Sequence, residues 1–167
     1  MSQAVIAAHI SAIEALHTAY LAALDQGDMA AWAATFAADE AKYFCISAEN
    51  DRRSLPLALM YDDCRGRIDD RVSFVTKVWA GTYQPYRTRH FIQRLSMDTA
   101  GHNQYRVTSG FMIMMTPEGG ATSVLTSGEY RDLIEIEGDG DKSRAVFRER
   151  RAVYDADVLP RYIVFPF

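Results

Sequence analysis

The second half of the chain leaves few folds open. Four runs, "TRHFIQRLSM", "QYRVTSGFMIMMT", "TSVLTSGEYRDLIEI" and "SRAVFRERRAVYD", are rich in Val, Ile, Phe, Tyr and Thr, the composition of β-strands. Only "TAGHN", "PEGG" and "EGDGDK" separate them, and these are turn residues. Long strands joined by tight turns form an antiparallel meander.

The first half has a different period. Across residues 4–25, Ile6, Ile10, Ile13, His17, Tyr20 and Leu24 recur at steps of four and three, so they share a helical face. Gly27 ends that helix, and Asp28 is placed to N-cap a second, "MAAWAATF". "AKYFCIS" reads as a strand and "AENDRRS" as a polar loop. A third helix is expected from Asp62-Asp63 to Gly81, with Ile68, Val72, Val75 and Trp79 on its apolar face. Helices followed by an antiparallel sheet make an α+β fold in which the helices cover the concave side. The expected product is a half-open cone with an apolar interior. Ser109-Gly110 and Ser127-Gly128 would let the strands bend around it.

A chain of 167 residues suits one domain, 1–167, burying roughly 70% of the surface its unfolded form exposes. The net charge of −4 gives no general affinity for phosphate backbones, so nucleic acid is not an expected partner. No basic segment precedes the first apolar residues, which argues against a signal peptide. The strongest apolar run, "FMIMM", is far short of the roughly 20 residues of a membrane span. A cytoplasmic protein without membrane contact is therefore expected.

"LMYDDCRGRIDDRVSFV" carries two acidic pairs, Asp62-Asp63 and Asp69-Asp70, the raw material of metal sites and acid–base catalysts. It is also what a helix start looks like. Arg65 and Arg67 offer ion-pair partners, and Asp69 and Asp70 point away from the apolar face. Metal ligation would need histidines, but neither Cys45 nor Cys64 has one within three positions. His9 and His17 lie eight apart, off a single helical face. The carboxylates thus read as capping and ion-pairing groups, and no catalytic, cofactor-binding or metal-ligating residue is assigned.

His17 on the buried face of the first helix has two readings. It is a hydrogen-bonded core residue, or it points into the cone beside Tyr20, Trp32, Tyr43 and Tyr130 as half of an acid–base pair. His90 in "RTRH" is weighed the same way, its arginines suggesting an interface. "FRERR" puts Arg148, Arg150 and Arg151 on a strand where alternation would bury some of them, which suits docking to another chain. The apolar tail "YIVFPF" must cover its own domain or a neighbour.

Taken in order, certain motifs carry a likeness: Asp28 and Trp32, Glu49-Asn50 before Asp51-Arg52, "YDD" at Tyr61 to Asp63, "DRV" at Asp70 to Val72, "PYRTRH" at Pro85 to His90, "SGEY" at Ser127 to Tyr130, and "ERRAVYD" before the tail. Over nearly its whole length the chain resembles the small (β) subunit of aromatic-ring-hydroxylating dioxygenases, the Rieske non-haem iron oxygenases. It departs after His90, where Phe91-Ile92-Gln93 stands in place of the family's frequent Ser-Asn-Val. The resemblance implies a cone-like fold of the nuclear-transport-factor-2-like (cystatin-like) type. It implies a chain without iron, partnered by a large (α) subunit that carries a [2Fe-2S] Rieske cluster and mononuclear Fe(II), with three small subunits forming a homotrimer within a hexamer that degrades aromatic compounds. Arg71, Arg87, Arg89, His90, Arg148, Arg150, Arg151, Tyr162, Phe165 and Phe167 are then the expected subunit contacts. The other reading is a free-standing cone-fold dehydratase, isomerase or small-ligand-binding protein using the His17 cluster.

Overall fold

The computed structural model describes residues 3–138 and 143–167. Helix α1 (Gln3–Gln26) buries His9, Ile13, Leu16, His17, Tyr20, Ala23 and Leu24. Its first turns differ from the expected face: Ile6 is exposed and Ile10 half-buried, and His9 turns inward to place Nδ1 2.6 Å from the Tyr105 hydroxyl. By length and composition alone α1 could cross a membrane; in this fold its buried stripe packs on the sheet. Gly27, at φ +71°, ends it. The Gly27 and Asp28 N–H groups close onto the Leu24 and Ala23 carbonyls at 3.1 and 2.8 Å, a Schellman stop. Asp28 then caps α2 (Met29–Ala34) by accepting from the Ala31 N–H at 2.9 Å, as its sequence position predicts.

Strand β1 (Lys42–Ser47) follows. The polar loop expected at 48–54 instead opens with a short helix, α3 (Ala48–Arg52), capped by Ser47. Strand β2 (Met60–Asp62) takes up Asp62 of the first acidic pair, and the N-cap of α4 (Arg65–Ser73) is Cys64 and not an aspartate. One π-helical turn, Phe74–Val78, completes that helix. Its expected face holds, with Ile68 and Val75 buried and Val72 and Trp79 partly so.

The meander is β3 (Tyr86–Gly101), β4 (Gln104–Pro117), β5 (Ser123–Glu137) and β6 (Arg144–Tyr154), all antiparallel. Of the expected separator at 137–142, residues 139–142 lie outside the described residues. One sheet runs β2-β1-β6-β5-β4-β3. Its one departure from the expected antiparallel pattern is β1, which pairs parallel with β6, Tyr43 opposite Arg150. Bulges interrupt β3 between Arg94 and Ser96 and β5 between Thr126 and Val124, next to the two Ser-Gly pairs. At Gly128 a Cβ would stand 2.2 Å from the Val153 carbonyl oxygen and 2.7 Å from the Phe111 ring. Only glycine fits this close approach, which lets Phe111 stack on Tyr130 at 4.3 Å.

Candidate functional site

The concave side of the sheet brings the five cone residues together. Tyr20, Trp32, Tyr43 and Tyr130 are fully buried at 0% exposure, and His17 nearly so. Trp32 meets Tyr43 edge-on at 5.4 Å and Tyr20 meets Tyr130 at 6.3 Å. At their centre, however, is a residue that sequence reasoning placed on the outside. Arg150, 0% exposed, sits 4.0–4.1 Å from the ring centroids of Tyr20, Tyr130 and Phe147. It donates from Nε and Nη2 to the two oxygens of Asp132 at 2.9 and 2.8 Å. Its Nη1 has no hydrogen-bond partner among the described residues, so the ring faces supply its environment.

A bulge explains this inversion. On β6, Phe147 pairs with Ile134 and Glu149 with Leu133, leaving Arg148 as an extra residue. The side-chain phase therefore shifts by one, and Phe147 and Arg150 share the inner face. Burial alone would raise the Asp132 carboxyl, but the Arg150 charge and hydrogen bonds outweigh it and hold the group below its ordinary range. His17 Nε2 lies 3.3 Å from Asp132 Oδ2. Its pKa is lowered, chiefly by burial and against the pull of Asp132, so a neutral imidazole is favoured. Burial raises the Tyr20 phenol to about 12 and pushes Tyr43 and Tyr130 well above their ordinary values.

A His–carboxylate pair is thus present, with the Phe147 ring stacked on His17 at 5.8 Å. Phe167, 1% exposed, closes the cone. Tyr20 donates its hydroxyl proton to the Phe167 carbonyl at 2.5 Å, and the Phe167 N–H donates to the Tyr43 hydroxyl at 2.9 Å. A hollow of about 340 Å³ exists elsewhere, lined by Phe44, Leu55, Pro56 and Arg151 among others. No group of three or more His, Cys, Asp or Glu side chains among the described residues could hold a metal. The interior holds a buried cation, its counter-ion and aromatic rings.

Three of the four aspartates in the acidic pairs of residues 62–70 form ion pairs, Asp70 being the exception among the described residues. Asp62 accepts from Arg71 at 2.5 and 2.8 Å, Asp63 faces Arg67 at 3.3 Å, and Asp69 accepts from Arg65 at 2.9 Å.

The sequence pattern of the ring-hydroxylating beta subunit matches residues 20–161. The chain belongs to this family. It is 23% identical over 151 residues to the anthranilate 1,2-dioxygenase small subunit of Burkholderia cepacia, covering 90% of this chain and 89% of that one. Among solved structures it superimposes, at TM-score 0.79 and 27% identity, on a chain assigned as the beta subunit of an aromatic-ring-hydroxylating dioxygenase from Novosphingobium aromaticivorans, with 91% and 92% covered. A chain from the same organism assigned as a scytalone dehydratase shares the fold at TM-score 0.69 and 16% identity, with 96% and 94% covered. The cone-like fold read from the sequence is thus shown, and so is the small-subunit assignment; the free-standing enzyme is not favoured.

As a small subunit, the chain sorts the ten expected contact residues unevenly. Arg150 and Phe167, expected on the outside, are buried in its own core. The His90 ring is 2% exposed, its Nδ1 2.6 Å from Asp25 Oδ1 under the end of α1. Phe165 packs edge-on against Tyr83 and Tyr86. Arg71 is held by Asp62, Arg148 by Glu135 and Asp39, and Arg151 by Asp51. Tyr162 is half exposed and stacks on Trp79 at 6.1 Å. Arg87 and Arg89 stand exposed, facing no carboxylate among the described residues. Sequence reasoning missed Asp132 and Phe147. An acidic residue inside an otherwise apolar strand, "RDLIEI", is the signal that a buried cation must face it.

Proposed function

We infer that this chain is the non-catalytic, structural small subunit of its dioxygenase, a platform for a large subunit that carries the Rieske cluster and the mononuclear iron. Three copies form the base of a hexamer that acts in the cytoplasm in the breakdown of aromatic compounds. One observation carries this reading: the cone interior, where an enzyme of this fold would bind substrate, is occupied by Arg150, its aromatic clamp and Phe167. A cavity needs empty, concave space to take a ligand, and these side chains take up the concave side of the sheet.

The test is to purify the chain with and without its large subunit and compare metal content and turnover. The isolated chain is expected to hold no stoichiometric iron and to oxidise nothing, while the complex carries iron, a Rieske-type visible spectrum and ring hydroxylation. Iron and that spectrum in the isolated chain would overturn the reading, as would a large subunit that is fully active alone.

A further inference from the structure

Two exposed apolar patches lie at opposite edges of the sheet. At the β3 edge the outward residues alternate as Arg87, Arg89, Phe91 and Gln93. Phe91, 55% exposed, is directly opposite Met112 on β4, and Met114 is opposite Val124 on β5. The bulge after Arg94 swings Leu95 over Gly110 on the same face. This patch therefore has an aromatic knob and, beside it, two guanidinium groups that face no carboxylate among the described residues. At the β2 edge, Leu57, Leu59 and Tyr61 are exposed in alternation. There Tyr61 and Phe74 border an open hollow of about 310 Å³ that Asp62, Arg67, Asp70 and Arg71 also line; Arg71 is held by Asp62 and Arg67 faces Asp63 at 3.3 Å. The Asp70 carboxylate meets no cation among the described residues.

One edge thus offers an aromatic knob with unpaired positive charge, the other an aromatic-walled hollow with unpaired negative charge. An isolated subunit rarely exposes two such patches, and a buried aromatic anchor ringed by complementary charge is the usual anatomy of an interface. Because the patches differ and occupy opposite edges, contact between copies is head-to-tail, which closes into a ring when the rotation permits. We propose that the Phe91 edge of one copy docks into the Tyr61–Phe74 hollow of the next, with Arg87 and Arg89 meeting Asp70. This rests on the small-subunit reading and gives its self-association a specific pair of surfaces.

Charge exchange tests it. The chain is purified as wild type, Arg89→Glu, Asp70→Arg and the double variant, and self-association is measured by sedimentation equilibrium at fixed salt. Both substituted side chains are exposed, so unchanged circular dichroism and melting serve as the folding control. Each single reversal is expected to weaken association about tenfold, and the double variant to recover to within about threefold of wild type. Single variants that associate normally, a double variant no better than either single, or a monomeric wild type would each overturn the proposal. A parallel pull-down of the large subunit separates the two questions. Wild type that binds the large subunit while the exchange fails removes only the docking surfaces; wild type that binds none removes the small-subunit reading.

Discussion

Arg150 and Arg151 are adjacent on β6 and chemically identical, yet one is fully buried among three aromatic rings and the other is 32% exposed beside Asp51. Arg150, fully buried, has a bidentate counter-ion at 2.8–2.9 Å. Arg151 touches Asp51 at 3.4 Å and lies 5.0 Å above the Phe44 ring, while Asp51 is held closer, at 2.7 Å, by Arg131. The comparison teaches that the chemistry of a side chain does not set its energetic weight; the face of the strand does. Inside the cone, loss of either partner strands a charge where nothing solvates it. Outside, water and neighbouring ions take over.

The largest effect should come from stranding Arg150. Asp132→Asn is expected to destabilise the fold by about 3–5 kcal/mol in urea unfolding. Replacing both partners, Arg150→Met with Asp132→Leu, should cost less than Asp132→Asn alone. If Asp132→Asn costs under about 0.5 kcal/mol, the size of a surface change, the contrast between the two faces collapses. Gly128→Ala comes next, at about 1–3 kcal/mol for overpacking, because the added methyl meets the Val153 carbonyl and the Phe111 ring; a normal melting curve would refute the close approach.

A pH titration sharpens the comparison further. The folded pKa of His17 lies below its ordinary 6.5 and that of Asp132 below 3.8. For both, the contribution to stability is full above the unfolded value and is lost as pH falls through the folded one. Stability should therefore decline below about pH 6.5 as His17 is forced to charge, and again in acid as Asp132 protonates. His17→Gln should flatten the first decline and leave the second; an unchanged profile would place His17 in water. Arg151→Ala should do least, about 0.5 kcal/mol or less. A larger loss would show that the outer ion cluster is not screened.

Much of this architecture was legible because it is local. The Gly27-Asp28 junction, the α4 face and the ends of the four long strands depend on residues close in sequence, and their positions match to within a few residues. The cluster of His17, Tyr20, Trp32, Tyr43 and Tyr130 was legible as well, since helical spacing put the first two on one face. What escaped was non-local or turned on one residue. The bulge at Arg148 leaves no composition signal, yet it reverses which arginine is buried. The parallel pairing of β1 joins segments that nothing in either marks as neighbours. Cys64 replaces an aspartate as N-cap because Asp62 is drawn into β2, where it serves Arg71.

That parallel pairing also bears on the order of events during folding. The hairpins β3–β4 and β4–β5 close over short turns, but β1 can find β6 only across about a hundred residues of chain, and such distant closures are slow. The strand nearest the start of the chain is therefore among the last to be zipped into the sheet. Until it arrives, the inner edge of β6 lies bare beside Arg150. A meander formed without β1 is the species from which misassembly would begin.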